Sequence, residues 1–207
     1  MKIHSTISLD EFKQKISIGD LIATTDKRFI AFFAHIIRLF FGSPTHIMVV
    51  VNLQSDNEHT SGFEIAESSL TKQVHTQNHF FDTPLLSNIL NIIYSKQKKD
   101  LYYCELLTPL TSKQKKDLYK YATSLEGQSY PIRGIFRVFW YKVTQIFQVE
   151  SFKEPQFIQQ KPFCSEFVYW LLYKINIINK DKYLRNPHPA PSALMKLSEY
   201  RIYKVVK

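Results

Sequence analysis

The segment QQKPFCSEFVYWLL, residues 159–172, decides how the rest of the chain is interpreted. Cys164 follows a proline by two positions and precedes apolar residues at helical spacing, including Val168 and Leu171. The pattern predicts a core helix with Cys164 at or near its first turn. Unpaired backbone N–H groups and the positive end of the helix dipole meet there, an environment that favours a reactive thiolate. A buried structural thiol is the alternative interpretation, and this segment alone leaves both open.

A nucleophilic cysteine needs a base, and His46 is the best-placed histidine. It stands near the start of THIMVVVNL (45–53), a β-branched and almost wholly apolar run that predicts a central strand. FEIAES (63–68) predicts the next strand, and pairing of the two would bring Glu67 near His46. Glu64 is the competing acid; because the two glutamates differ by three positions, a regular strand turns them to opposite faces. The alternative for His46 is a half-buried residue without a catalytic role.

Helical and strand patterns alternate along the remaining sequence. Ser8 to Glu11 form a capping box, which predicts a short helix at 9–16. Further helices are predicted at 27–41, 112–127 and 133–147, with a short one after Pro191 and Ser192. Further strands are predicted at 19–25, 101–107 and 200–206, with KQVHT (72–76) extending the sheet. Residues 76–90 show no clear period and are predicted to form a loop.

The composition predicts one α+β domain over 1–207, because 207 residues with 44% hydrophobic content supply a sizeable core. Residues 76–100 are interpreted as a variable insertion. Two cysteines 60 positions apart form no disulfide framework, and the N-terminus shows no apolar signal region. The longest apolar stretch, 29–42, is too short and too polar to span a bilayer. The cytoplasm is therefore the default expectation, and secretion by another route stays open.

Two further features of the sequence could indicate binding sites. SKQKKDLY occurs at 95–102 and again at 112–119, where the flanking patterns predict a strand and a helix respectively. The repeat is therefore interpreted as coincidence or as a basic surface feature. His75-x-x-x-His79 has the spacing of metal ligands on a helix, but no helical stripe surrounds it. The sequence predicts no metal and no cofactor.

Four segments together resemble a known family. They are GDLIAT (19–24), SPTHIMVVV (43–51), FEIAESS (63–69) and FCSEFVYW (163–170). Their order resembles that of the circularly permuted papain-like cysteine hydrolases, the YiiX-like branch related to the NlpC-type cell-wall peptidases. In that family the histidine precedes the cysteine along the chain, the reverse of ordinary papain-like enzymes.

The resemblance implies an antiparallel β-sheet packed against helices, with the nucleophile at a helix N-terminus. It implies catalytic roles for Cys164, His46 and Glu67, and the Leu125–Tyr130 segment resembles the family's Gly-x-x-Tyr segment, which implies that Tyr130 binds substrate. Glu166 lies in the first helical turn, where a negative charge interacts favourably with the helix dipole. We expect it to have this capping role rather than a catalytic one.

The implied activity is that of a thiol hydrolase working through a thioester: an amidase or peptidase, or an acyl hydrolase or acyltransferase. A peptide, a wall fragment, or a lipid amide or ester would be the substrate. The alternative is a non-catalytic basic module, because the net charge of +9 favours anionic membranes or nucleic acids. No nucleic-acid-binding motif is visible, so no specific nucleic-acid partner is expected.

Overall fold

A computed structural model describes residues 3–25, 46–56, 59–68, 74–80, 100–127, 164–181 and 189–206. Seven strands lie in these residues: β1 (Ser5–Ser8), β2 (Leu21–Thr24), β3 (His46–Asp56), β4 (His59–Ser68), β5 (Val74–Phe80), β6 (Leu101–Leu106) and β7 (Tyr200–Val206). The helices there are α1 (Leu9–Lys15), α2 (Ser112–Ser124), α3 (Cys164–Lys174) and α4 (Pro191–Leu194). The helices predicted at 27–41 and 133–147 lie outside the described residues.

The seven strands form one sheet in the order β1-β7-β6-β2-β3-β4-β5. Each neighbouring pair is antiparallel except β1 and β7, which run parallel. The α+β class with a sheet packed against helices is confirmed. The parallel edge pair departs from the antiparallel sheet that was expected, because the short strand β1 was not predicted.

Alternating side chains give the sheet two buried faces. On one face Val49 and Ala66 pack in a core that includes most of α3. On the other, Val50 and Ile65 pack in a core with Phe12 of α1. The predicted capping box of α1 is present, with Ser8 and Glu11 side chains bonded to each other's backbone N–H.

Helix α3 lies in the centre of the first core. All nine residues from Cys164 to Leu172 are buried, since the helix contacts β3, β4, α2 and α4. An apolar surface all around a helix requires such burial. The prediction of a core-anchored helix beginning at Cys164 is confirmed.

A buried carboxylate fixes the turn before β2. Asp20 accepts hydrogen bonds from the Ser17 N–H (2.7 Å), the Leu106 N–H (2.8 Å) and the Tyr103 hydroxyl (2.7 Å). Gly19 before it has φ of +97°, which favours glycine, and an added Cβ would lie 2.8 Å from Leu110 Cδ1. The Gly-Asp pair therefore holds β2 against β6.

The predicted loop at 76–90 is wrong over residues 76–80. These residues belong to β5, which pairs with β4 in continuous register from Gly62↔Phe80 to Ser68↔Val74. The Glu126 carboxylate also binds Thr76, accepting from its N–H (3.0 Å) and its hydroxyl (2.5 Å). Tertiary pairing thus makes a strand of a polar segment that has no apolar period.

Candidate active site

Cys164 is the first residue of α3 and retains 5% of its surface exposed. The first N–H groups of a helix have no partner within the helix, and the positive end of its dipole lies there. A negatively charged sulfur, or an oxyanion formed beside it, is stabilised by that environment.

His46 and Glu67 meet through the pairing of β3 and β4. The distance between His46 Nε2 and Glu67 Oε2 is 2.5 Å. In the register Val49↔Ala66, Met48 stands opposite Glu67, so His46 is the diagonal neighbour of Glu67 and within reach of its side chain. The two side chains are 22% and 15% exposed, so this pair reaches solvent.

Glu64, the competing acid, lies elsewhere. It pairs with Asn52 and is buried, with 7% exposed. Of the two glutamates, Glu67 is the one whose carboxylate lies within hydrogen-bonding distance of the His46 ring.

The His46 ring also interacts with Cys164. Burial alone would lower the pKa of His46, but the charge of Cys164, a hydrogen bond with its side chain, and the contact with Glu67 raise this pKa well above its usual 6.5. Since Nε2 faces Glu67, Nδ1 is the ring nitrogen left for the sulfur. The structure thus brings together the three side chains that the sequence singled out, across 118 positions of the chain.

The other cysteine has different surroundings. Cys104 lies in β6 opposite Leu21 and is fully buried. Burial, with a smaller effect from the charge of Asp20, raises the pKa of its thiol. Cys104 is therefore a structural thiol, and it offers an internal control for reactivity.

Two more residues occupy the first turn of α3. Glu166 is fully buried, at the helix end where an acid is favourable. Ser165 is also fully buried, and its hydroxyl donates to the carbonyl of Pro189 (2.6 Å). Sequence reasoning missed the contact of Ser165; the only signal was its position beside the cysteine. Tyr130, the predicted substrate-binding residue, lies outside the described residues.

The histidines with metal-ligand spacing lie on a strand. His75 and His79 both belong to β5, where four residues span roughly 13 Å, so the helical spacing of ligands does not apply. Within the described ranges, no three or more His, Cys, Asp or Glu side chains are grouped as a metal-ligand set.

The described helices include none with the length and apolarity needed to cross a bilayer.

Comparisons with known proteins support the fold. No protein-family model matches the chain, and neither does any curated protein sequence. Among solved structures, the chain is similar to the crystal structure of the metalloprotein YiiX (DUF1105) from Escherichia coli O157:H7. The TM-score is 0.53 and the sequence identity 15%, over 93% of this chain and 98% of the other. The chain therefore has a YiiX-like fold.

Proposed function

We propose that the protein is a cysteine hydrolase of papain-like type that transfers an acyl group through a thioester on Cys164. The observation that carries the proposal is the convergence of Cys164, His46 and Glu67 at the start of a buried helix. The YiiX-like fold supports this proposal, because the four sequence segments resemble the YiiX-like branch of the circularly permuted papain-like hydrolases.

The first half of the reaction forms the thioester. The Cys164 thiolate attacks the carbonyl carbon of an amide or ester, and the carbonyl oxygen becomes an oxyanion. N–H groups at the start of α3 stabilise this charge. The His46 imidazolium then gives its proton to the departing amine or alcohol as the carbon–nitrogen or carbon–oxygen bond breaks.

The second half releases the acyl group. Neutral His46 accepts a proton from water, and the resulting hydroxide attacks the thioester carbon. The carbon–sulfur bond breaks, the thiolate returns, and a carboxylic acid leaves. Another nucleophile in place of water would make the same site an acyltransferase.

Glu67 orients the imidazole. Its carboxylate accepts a hydrogen bond from Nε2, which directs Nδ1 towards the sulfur and stabilises the charged ring. This role requires Glu67 to remain ionised while His46 gains and loses its proton.

We propose peptides, wall fragments, and lipid amides or esters as the substrate classes, with an anionic membrane surface as a partner for the lipid case. The net charge of +9 supports an anionic partner. A catalytically inactive basic module is the second candidate, supported by the same charge. Two results together would favour this second candidate. The wild-type protein would show no thiol reactivity, and its binding to anionic vesicles would fall with salt and be unchanged in Cys164→Ala.

The experiment that tests the proposal compares the two thiols. Iodoacetamide should label Cys164 near neutral pH much faster than Cys104, and His46→Ala should slow the reaction of Cys164. Cys164→Ala should abolish hydrolysis of acyl and peptidyl substrates while the circular dichroism spectrum is retained. Equal labelling of both thiols in the folded protein would count against the proposal. Metal analysis of the purified protein should accompany this test, because the similar solved structure is titled a metalloprotein.

A further inference from the structure

The serine next to the nucleophile donates its side-chain hydrogen bond to a residue outside its own helix. Ser165 is fully buried, and its Oγ lies 2.6 Å from the carbonyl oxygen of Pro189, 24 positions later. Serine hydroxyls in a helical turn commonly bond to nearby backbone of the same helix. Here the hydroxyl donates its hydrogen bond to a carbonyl of another segment, so the first turn of α3 is attached to backbone outside the helix.

The far end of this bond is itself fixed. Pro189 stands two residues before Pro191, the first residue of α4. Leu194 and Met195, at the end of that helix, are fully buried in the same core as α3. The packing of α4 therefore fixes the position of the Pro189 carbonyl. The hydrogen bond from Ser165 in turn fixes the helical turn that carries Cys164 relative to this carbonyl.

We infer that Ser165 is a positioning residue for the Cys164 nucleophile. Its bond to Pro189 fixes the first turn of α3, so that the sulfur stays in contact with His46 and the N–H groups keep their direction towards the oxyanion. This inference rests on the proposed function. Small displacements of a reacting group have large effects on rate, which is why one buried hydrogen bond beside the nucleophile matters.

The test uses Ser165→Ala and measures acetylation of Cys164 by p-nitrophenyl acetate as a function of pH. The expected result is a fall of about tenfold in the second-order rate near neutral pH, since near-attack geometry is lost. The pKa of His46, followed by NMR, should fall as well, because contact with the sulfur helps to raise it. Ser165→Thr, which keeps the hydroxyl, should restore part of the rate.

Two controls separate positioning from general destabilisation. Ser124→Ala removes an exposed serine hydroxyl that also donates to a backbone carbonyl, that of Tyr121 (2.8 Å), and should leave the rate unchanged. Leu172→Ala removes a fully buried side chain from the same helix and should lower the melting temperature without altering the pH–rate profile.

A second variant covers the case in which Ser165→Ala does not fold. Ala190→Gly loosens the backbone next to Pro189 at a helix N-cap, where glycine is tolerated, and should lower the same rate to a smaller extent. A wild-type rate and profile in folded Ser165→Ala would overturn the inference, as would the same result in Ala190→Gly where Ser165→Ala does not fold, or an equal change in Leu172→Ala. An unreactive Cys164 in the wild-type protein would instead refute the proposed function, and this inference with it.

Discussion

Replacing Glu67 by glutamine tests whether this residue orients the histidine. The change keeps the shape of the side chain but removes the charge that accepts from His46 Nε2 at 2.5 Å. A hydrogen bond to a charged group contributes about 1.5–3 kcal/mol. If that stabilisation is needed in the transition state, the rate falls roughly 10- to 100-fold, at about 1.4 kcal/mol for each factor of ten. The pKa of His46 should also fall, because Glu67 helps to raise it.

Glu64→Gln is the matched control on the same strand. It makes the same substitution at a buried glutamate of β4, which pairs with Asn52. Acetylation of Cys164 by p-nitrophenyl acetate and the NMR titration of His46 should both stay close to wild type. A role for Glu67 in orienting His46 is refuted if Glu64→Gln is as damaging as Glu67→Gln, or if Glu67→Gln changes neither quantity.

Other contacts of the fold and the site lead to four further predictions. Asp20→Ala removes the acceptor of the Ser17 and Leu106 N–H groups and leaves the Tyr103 hydroxyl with the Lys15 carbonyl alone. The change should cost about 3–5 kcal/mol in urea unfolding, whereas a loss below 1 kcal/mol would contradict this. Because burial raises the pKa of Asp20 to about 6 from 3.8, wild-type stability should fall as pH rises from about 4 to 6, and the variant should lack this contribution. Gly19→Ala should lower stability by about 1–3 kcal/mol, since φ is +97° and the new methyl would meet Leu110; an unchanged melting temperature would argue against it. Cys164→Ser should lower the pKa of His46 in an NMR titration, because the cysteine charge raises it, and an unchanged pKa would refute the contact.

The elements that sequence predicted best have strong local patterns. The capping box at Ser8, the apolar strand after His46 and the apolar helix after Cys164 each carry their own signal, and each is present. Strand β5 carries a signal only at its start, where KQVHT (72–76) predicted a strand; residues 77–80 carry none, because their strand conformation depends on pairing with β4. Strand β1 was missed for the same reason: four residues have no clear pattern, and their pairing with β7 joins the two ends of the chain.

The repeated SKQKKDLY shows how context overrides local sequence. Leu101 and Tyr102 of the first copy are buried in β6 between β2 and β7. In the second copy Leu118 is buried on α2, while Tyr119 is 41% exposed. The same dipeptide therefore adopts two conformations as predicted, because the environment of each copy decides which side chains are buried.

The candidate site was predictable in its residue types but not in its fine contacts. Glu67 and Glu64 remained alternatives until the register of β3 and β4 placed one of them beside His46. The position of Ser165 beside the cysteine did not predict its bond to Pro189, since that bond links segments whose proximity depends on the packing of α4 against α3.

Peptide mapping after brief exposure to p-nitrophenyl acetate tests the central claim most directly. The ester supplies a carbonyl and a good leaving group, so the acetyl group should be found as a thioester on the peptide containing Cys164, with release of nitrophenol. The adduct should be absent in Cys164→Ala and strongly reduced in His46→Ala. A folded wild-type protein with no acetyl group on Cys164, or with as much on Cys104, would contradict the claim that this sulfur is an acyl-accepting nucleophile.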